Sequence, residues 1–385
     1  MAADCPSPTA SPALRWDVFC QVIDNWGDAG IAWRLARQLA AAGQHVRLWI
    51  DDPEPLTWMA PQAVRGGVPG VAVHRWPRVD GAAPPTGLPC GQVLVEMFGC
   101  HVPDPWVQTL LPPRDEAGWP TVWLNLEYLS AEPWVERSHG LPSPVLHGAL
   151  AGRTKWFFFP GFTAGTGGLL READLDARQT AFDVAAWRSA HGSHAGPWVS
   201  VFTYEPAALA ALRRQPALAA AHWLVAPGRS TAHWDRLDAA AALPATARVT
   251  RCAPVPQEAF DERLWACDLN LVRGEDSLVR ALWAGRAFLW QLYPQDDAAH
   301  HAKLEAFLAW AQGPPGWMAW MRAFNDAPGG AEPPALTAAE LAAWTALGAA
   351  LRARLHAQTD LLRRLLAFVA ARRGCALEQA PHDTI

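Results

Sequence analysis

The chain has 385 residues, a formal net charge of −5 and a hydrophobic content of 51%. Because a single core rarely grows beyond about 250–300 residues, we expect two domains, or three. The hydrophobic content excludes a disordered chain. The chain is slightly acidic, whereas a protein that binds nucleic acid usually has an excess of basic residues.

The amino-terminal residues 1–15 contain no apolar run of the length that a secretory signal needs, so we interpret them as a disordered leader. No stretch approaches the ~18–20 consecutive apolar residues of a membrane span. The seven cysteines are odd in number and form no CxxC pair, which argues against a disulfide framework and a zinc knuckle. We therefore expect a cytoplasmic protein with reduced thiols.

The first half of the chain alternates short apolar runs with helical stretches. A helical spacing of apolar residues over 31–43 lies between strand-like runs at 16–23 and 46–50. Further strands are predicted at 92–97, 121–129 and 156–159. Continuous apolar strands separated by helices are typical of a parallel sheet that is covered on both faces.

The second half repeats this pattern after a polar, glycine-containing break at 187–197. The predicted strands are 198–204, 222–227, 247–252, 268–273 and 287–293, and the predicted helices are 277–285, 296–311 and 338–372. We predict an α/β fold with two doubly wound, Rossmann-like domains, residues 16–190 and 191–372, that face a central cleft, followed by a tail at 373–385. In such sheets ligands bind beyond the carboxyl ends of the strands.

The loop Asp24-Asn25-Trp26-Gly27-Asp28 follows the first predicted strand and opens the first helix. Asp28 is therefore either an N-cap or a functional carboxylate in the position where these folds bind ligands. The GxGxxG fingerprint of dinucleotide-binding proteins is absent. Two carboxylates in one short loop repel a diphosphate and are better suited to holding a cation or accepting a proton from a nucleophile.

A second polar motif, Arg273-Gly274-Glu275-Asp276-Ser277, follows the strand predicted at 268–272, with a helix beginning at about Ser277. The backbone N–H groups of a first helical turn favour an anion, and an arginine pairs with phosphate. Glu275 or Asp276 could accept hydrogen bonds from sugar hydroxyls. An ordinary N-terminal capping box is the alternative.

Several segments taken together resemble one specific family. They are VFCQVIDNWGDAGIAWRLARQLA, LNLEYLSAEPWVE, KWFFFPGFTAGTGGLLRE, VFTYE and NLVRGEDSLVRALWAGRAFLWQLYPQ, in this order along the chain. In sequence and order they resemble the bacterial elongation factor P arginine rhamnosyltransferases, over nearly the whole chain except the leader and the last ~15 residues.

The resemblance implies a two-domain glycosyltransferase of the GT-B type. The implied reaction moves L-rhamnose from dTDP-β-L-rhamnose to an exposed loop arginine of elongation factor P, with inversion. The modified elongation factor P would then be active in rescuing ribosomes that are stalled at polyproline. It implies no metal and no further cofactor, with the acceptor on the first domain and the donor on the second. Carried over by motif, the catalytic residues are Asp24, Asp28 and Glu275. The residues implied for the donor site are Phe202, Tyr204, Gln257, Arg273, Glu275, Asp276, Ser277 and Tyr293.

The chemistry of the acceptor narrows the roles of these residues. A guanidinium has a pKa above about 12 and is a poor nucleophile. A carboxylate can hold it, fix one nitrogen against the anomeric carbon and accept its proton as the bond forms. We expect Asp28 to be this base, with Asp24 orienting the guanidinium, and Arg273 and Ser277 to stabilise the departing diphosphate.

Three alternatives compete with this interpretation. A GT-B glycosyltransferase with another acceptor would be favoured by a membrane-docking amphipathic stretch, which we do not find. A non-catalytic nucleotide-sugar-binding protein would bind donor without turnover. A dinucleotide oxidoreductase is disfavoured by the missing glycine fingerprint.

Overall fold

The structure is a computed structural model that describes residues 13–23, 26–77, 82–295, 298–328 and 332–374. Most of the predicted leader therefore lies outside the described residues, as do Asp24 and Asn25 of the first polar loop. The predicted tail is described only as far as its second residue.

Two groups of strands alternate with helices along the described chain. The strands are β1 Arg15–Cys20, β2 His45–Ile50, β3 Val71–Arg75, β4 Val93–Met97, β5 Val122–Leu126, β6 Pro142–Pro144, β7 Thr154–Phe158, β8 Trp198–Val201, β9 His222–Val225, β10 Arg248–Arg251, β11 Leu269–Arg273 and β12 Ala287–Gln291. The helices are α1 Gly27–Ala41, α2 Leu56–Met59, α3 Pro61–Val64, α4 Asp104–Leu110, α5 Trp134–Ser138, α6 Leu175–Ala181, α7 Val184–Ala190, α8 Leu209–Leu212, α9 Arg229–Ala240, α10 Gln257–Ala266, α11 Gly274–Ala284, α12 Ala299–Ala311, α13 Pro315–Phe324, α14 Ala338–His356 and α15 Leu361–Arg373.

The first domain is built on a seven-stranded sheet in the order β3-β2-β1-β4-β5-β7-β6. Every pair in this sheet is parallel except β6 with β7. The strand order reverses between β1 and β4, which makes the carboxyl end of β1 the place where such a sheet binds ligands. The segment that follows β1 leads directly into α1 and Asp28.

The second domain is built on a five-stranded, fully parallel sheet in the order β10-β9-β8-β11-β12. The order reverses between β8 and β11, so the carboxyl ends of these two strands form the equivalent position. Phe202 and Tyr204 follow β8, and Glu275, Asp276 and Ser277 follow β11. The prediction of two doubly wound sheets is confirmed.

Tryptophan and aliphatic side chains fill the cores on both faces of each sheet. Strands β4, β5, β8, β9, β11 and β12 are buried along their whole length, as expected for sheets covered on both faces. One large core extends from the second sheet to residues of the first domain such as Leu129 and Phe162, so the two domains share apolar packing.

Two predicted helices differ from the observed ones. The helical stretch at 338–372 is two helices, because the chain breaks at 357–360 and Asp360 accepts a hydrogen bond from the Arg363 N–H to cap α15. The helix predicted to begin at about Ser277 begins at Gly274, immediately after β11. The expected loop between this strand and helix is therefore absent.

The chain passes between the domains twice, and the last helix packs on the first domain. Residues 159–174 lead from β7 to α6, and residues 357–360 lead back to α15, whose Leu361, Leu365 and Val369 belong to the core of the first sheet. The two segments lie side by side, since the Leu361 N–H donates to the Leu169 carbonyl at 2.9 Å. This packing differs from the predicted division, which assigned all of 191–372 to the second domain.

Candidate active site

Asp28 lies in the first turn of α1, at the carboxyl end of β1. Its Oδ2 accepts a hydrogen bond from the Ile23 N–H at 2.8 Å, and the residue is only 3% exposed. The N-cap residue of α1 is Trp26, and no side chain caps this helix end. Asp28 is therefore not the N-cap that the sequence allowed. Asp24 lies outside the described residues, so its predicted role stays a prediction.

Arg273 ends β11 and lies among aromatic rings. Its guanidinium carbon is 4.6 Å from the ring centre of Phe202, 4.5 Å from that of Tyr204 and 5.6 Å from that of Trp26. One guanidinium nitrogen also donates to the Thr203 carbonyl at 3.3 Å. Cation–π contacts of this kind fix a cation without neutralising its charge. These contacts place the Arg273 guanidinium at the carboxyl end of β11.

Ser277 does not cap the helix that it was predicted to begin. Its hydroxyl donates to the Arg273 carbonyl and accepts a hydrogen bond from the Arg273 N–H at 3.0 Å. The serine therefore closes the first turn of α11 and fixes the backbone of Arg273. To donate to a phosphate as predicted, the Ser277 hydroxyl would have to give up its hydrogen bond to the Arg273 carbonyl.

The two carboxylates of the second motif point in different directions and have different partners. Glu275 accepts hydrogen bonds from the Leu129 N–H at 2.7 Å and from Lys303 Nζ at 2.5 Å. Asp276 instead accepts from Arg34 Nη1 at 2.7 Å and from Arg280 Nε at 2.8 Å. Burial alone would raise the pKa of Asp276, but Arg280 and Arg34 outweigh it and lower that pKa, so the carboxylate is ionised. Asp276 is thus part of an ionic network.

The remaining predicted donor residues surround the same region. Phe202 stacks on Trp26 with the ring centroids 6.1 Å apart and the planes 7° from parallel. Tyr204 is buried, whereas the exposed Tyr293 meets its ring edge-on at 5.6 Å. Gln257 begins α10 and donates to the Gly30 carbonyl of the first domain at 3.2 Å, while its Oε1 has no hydrogen-bond partner among the described residues. Seven of the eight donor residues line one or the other of two pockets between the domains; only Tyr204 does not.

The first of these, the aromatic pocket, has about 700 Å³ of empty space, part of it open to solvent. It is lined by Trp26, Gly27, Trp58, Met59, Phe202, Ala226, Pro227, Ala253, Pro254, Val255, Gln257, Phe260, Arg263, Arg273, Asp276, Ser277 and Arg280. Aromatic walls with a few polar side chains are typical of a site for a flat ring that carries polar groups.

The second, the Asp28 cleft, has about 980 Å³ of empty space, likewise partly open. Its lining residues are Ile23, Gly27, Asp28, Ile31, Tyr128, Gly274, Glu275, Trp290, Leu292, Tyr293, Gln295, His300 and Lys303. Gly27 lines both pockets, so the two adjoin at the start of α1. The Asp28 cleft thus contains the carboxylates of Asp28 and Glu275, one from each domain, and adjoins the aromatic pocket.

The sequence did not single out several residues of this site. Trp26 was quoted only as part of its loop, and Tyr128 and Lys303 were not considered as ligand contacts. Tyr128 stacks on Phe98 with the centroids 4.6 Å apart, and Phe98 has a positive φ of 58°. A non-glycine residue in this conformation is strained and is often found at functional sites. Only the glycine at position 99 hinted at an unusual turn there.

The described residues contain neither a metal-binding cluster nor a membrane-spanning helix. Nowhere in the described ranges do three or more histidine, cysteine or acidic side chains cluster in a way that could hold a metal ion. Among the described helices, none is both long and apolar enough to cross a membrane.

Two Rossmann-like sheets whose carboxyl ends face one cleft define the GT-B fold. A glycosyltransferase from Rickettsia africae superposes with a TM-score of 0.50 over 94% of this chain and 99% of its own, at 7% identity, so that likeness concerns the fold alone. A second solved structure, reported as the structural basis for EarP-mediated arginine glycosylation of translation elongation factor EF-P, superposes with a TM-score of 0.52 over 92% of this chain and 98% of its own, at 27% identity.

Sequence comparison identifies the family. Residues 16–370 match the family described as Elongation-Factor P (EF-P) rhamnosyltransferase EarP. The protein-arginine rhamnosyltransferase of Pseudomonas putida is 43% identical over 320 residues, and that of Pseudomonas aeruginosa is 42% identical over 319 residues; each alignment covers 76% of this chain and 80% of the relative. The chain therefore belongs to the EarP family, and the predicted family and enzyme class are confirmed.

Proposed function

We propose that this protein transfers L-rhamnose from dTDP-β-L-rhamnose to the guanidino group of one arginine of elongation factor P, with inversion at the anomeric carbon. Membership of the EarP family supports the enzyme class, the transferred sugar and the acceptor. The observation that carries the assignment is that Asp28 and Glu275, from different domains, line one cleft that adjoins an aromatic pocket. Because the acceptor is a translation factor, the reaction takes place in the cytoplasm.

The aromatic pocket is suited to the nucleotide end of the donor. Its walls match the flat face of a nucleobase, and Gln257 offers an amide oxygen that has no hydrogen-bond partner among the described residues. Arg273 lines the same pocket, and its guanidinium packs against the rings of Phe202 and Tyr204. Its charge stabilises the diphosphate as the sugar departs, together with the N–H groups at the start of α11.

The Asp28 cleft is suited to the acceptor arginine. A guanidinium that enters the cleft meets the Asp28 carboxylate from the first domain and the Glu275 carboxylate from the second. Asp28 orients one nitrogen toward the anomeric carbon and accepts its proton as the new bond forms, so no free neutral guanidine is required. A single base and one in-line displacement give inversion.

Two other outcomes remain alternatives within the same fold. A different acceptor would leave the donor site unchanged and alter only the contacts around the cleft. A binding protein without turnover would keep the aromatic pocket but would not need the Asp28 carboxylate beside it. The presence of the Asp28 and Glu275 carboxylates in one cleft suits a guanidinium acceptor and favours transfer over binding alone.

The decisive experiment incubates the purified protein with elongation factor P and dTDP-rhamnose, with and without a chelator. Mass spectrometry of the acceptor should find one deoxyhexose on arginine in both samples, whereas dTDP-glucose should give none. Donor consumption with an unmodified acceptor would point to another acceptor. Donor binding without consumption would point to a binding protein, and either result would refute the proposal.

A further inference from the structure

A continuous chain of alternating charges crosses the boundary between the domains. Arg34 on α1 contacts Glu172 and Asp276; Asp276 also contacts Arg280, and Arg280 contacts Asp261. The nitrogen–oxygen distances along it are all 2.7 or 2.8 Å. Arg34 and Arg280 are 1% and 3% exposed, so solvent and salt screen these contacts little.

Arg34 is the member that joins the domains. Its Nε and Nη2 bind the two oxygens of Glu172 at 2.7 and 2.9 Å, and its Nη1 binds Asp276 at 2.7 Å. Glu172 lies in the segment 159–174 that leads from the first domain to the second. A guanidinium is rigid and planar, so this forked geometry fixes direction as well as distance. One side chain therefore sets α1, the connecting segment and α11 relative to one another.

The two helices that Arg34 connects carry the opposite halves of the proposed site. Asp28 is in the first turn of α1, and Glu275 and Ser277 are in the first turn of α11. Inside the second domain, Asp276 keeps a separate partner in Arg280, four residues along the same helix. Loss of Arg34 would thus remove the direct contact of α1 with Asp276 while leaving the start of α11 supported by its own domain.

We propose that Arg34 is a positioning residue for the transfer step, which holds Asp28 in place against the donor by gripping Asp276 across the domain boundary. This inference rests on the proposed function. It predicts that removal of the Arg34–Asp276 contact slows transfer with donor bound and changes donor affinity little. A residue that only stabilised the fold would alter the melting temperature without this separation of effects.

The test compares two variants that differ only in the side chain at position 34, and therefore in its contact with Asp276. Glu172→Gln removes one buried charge but leaves Arg34 beside Asp276. The double variant Arg34→Gln with Glu172→Gln removes both members of that ion pair, so no uncompensated Glu172 charge stays buried. A less buried ion pair between the same domains, Arg37 with Glu258, supplies a further control as Arg37→Gln; Arg37 also lies 3.8 Å from Glu172 but does not contact Asp276.

Each variant is assayed for kcat at saturating donor and acceptor, for donor dissociation constant by calorimetry, and for melting temperature. Relative to Glu172→Gln, the double variant should lose about tenfold or more in kcat, because a displacement of about 1 Å can cost a hundredfold. Its donor dissociation constant should change by less than about threefold. Arg37→Gln should retain wild-type kcat.

The outcomes separate this inference from the function on which it rests. An inactive wild-type protein would refute both the proposed function and the positioning role of Arg34. An active wild type with equal kcat for Glu172→Gln and the double variant would overturn the positioning role alone, as would a loss confined to donor affinity. If the double variant does not fold, Arg34→Lys replaces it: a lysine cannot bind both carboxylates through the same fork, and an unchanged kcat would overturn the proposal.

Discussion

Asp28 combines burial with a position beside solvent-filled space. Its Oδ2 is held by the Ile23 N–H, and the residue lines the cleft that also contains Glu275. An asparagine in its place retains a carbonyl oxygen for the Ile23 N–H but cannot accept a proton. One substitution can therefore separate the structural role of Asp28, its hydrogen bond to the Ile23 N–H, from its proposed role as a base.

We predict that Asp28→Asn lowers kcat by roughly a hundredfold or more while donor affinity is retained, because general-base contributions are typically about 10²–10⁴-fold. Transfer to elongation factor P is measured by mass spectrometry and donor affinity by calorimetry. Asp104→Asn is the matched control, since Asp104 is also in the first turn of a helix but does not line either pocket. Near-normal turnover of Asp28→Asn would remove the proposed base.

His222 is a buried histidine whose pKa is lowered, and this affects how stability depends on pH. It is fully buried in β9, its Nε2 lies 2.8 Å from Thr250 Oγ1, and its Nδ1 has no partner among the described residues. Burial, followed by the nearby Arg248, lowers the pKa of His222 to about 4.

The lowered pKa of His222 predicts a loss of stability in acid. The unfolded chain takes up this proton near pH 6.5 and the folded protein only near pH 4, so the contribution is complete above about pH 6.5 and is lost as the pH falls toward 4. The limit for this one group is about 3 kcal/mol. Urea unfolding of wild type and His222→Gln at pH 7 and pH 4.5 measures it, with the exposed His45→Gln as control. An equally steep pH dependence in His222→Gln would contradict the assignment.

At the scale of elements, α1 closely approaches the second domain at Gly30. A β-carbon built there would lie 3.0 Å from Gln257 Nε2, 3.3 Å from Asp276 Oδ2 and 3.5 Å from Met59 Sδ. These neighbours include two of the residues predicted to bind the donor. The glycine thus lets a helix of the first domain contact the proposed donor site directly.

We predict that Gly30→Val lowers kcat by about tenfold or more, because its branched side chain pushes α1 away from α10 and α11. The control is Ala41→Val, which places the same side chain at the exposed end of the same helix. Transfer kinetics, with circular dichroism to verify folding, measure the effect. Equal activity of the two variants would show that the close approach is not needed.

Most of the strands that were predicted from the sequence are buried along their length. Strands such as β4 and β11 are continuous apolar runs, and each was predicted to within a few residues. The partly exposed edge strand β10 was also predicted, whereas the edge strand β3 and the short β6, whose sequence is Pro-Ser-Pro, were not. The break before α15 depended on Asp360 as a cap inside a long helical pattern, which periodicity alone does not reveal.

The candidate site was predictable only as separate halves. Motifs placed Asp28 after β1 and Arg273 after β11, and the general rule for α/β sheets directed both to the cleft. The contacts that hold these motifs in place could not be predicted from the sequence, because Arg34 and Asp276 are 242 residues apart in the chain. Contacts across a domain boundary leave no local periodicity in sequence.

At the scale of the whole molecule, the last helix belongs to the core of the first domain. Leu365 is fully buried, and Arg373 donates to the Pro120 carbonyl at 2.9 Å. The first sheet is therefore completed by residues that follow the entire second domain in the chain.

We predict that Leu365→Ala lowers the free energy of unfolding by about 2–5 kcal/mol, the usual cost of removing a buried leucine side chain. Arg363→Ala, whose side chain is 77% exposed on the same helix, should change it by less than about 0.5 kcal/mol. Chemical denaturation monitored by tryptophan fluorescence gives both values. A Leu365→Ala variant as stable as wild type would mean that α15 does not complete this core.

The two connecting segments 159–174 and 357–360 lie side by side, and Gln358 Nε2 of the second donates to the Phe162 carbonyl of the first at 2.9 Å. In topological terms the second domain is an insertion into the first, entered and left through two adjacent segments of chain. Two adjacent tethers restrict relative movement of the domains more than a single one would. We therefore expect any opening of the groove to hinge near this pair of segments.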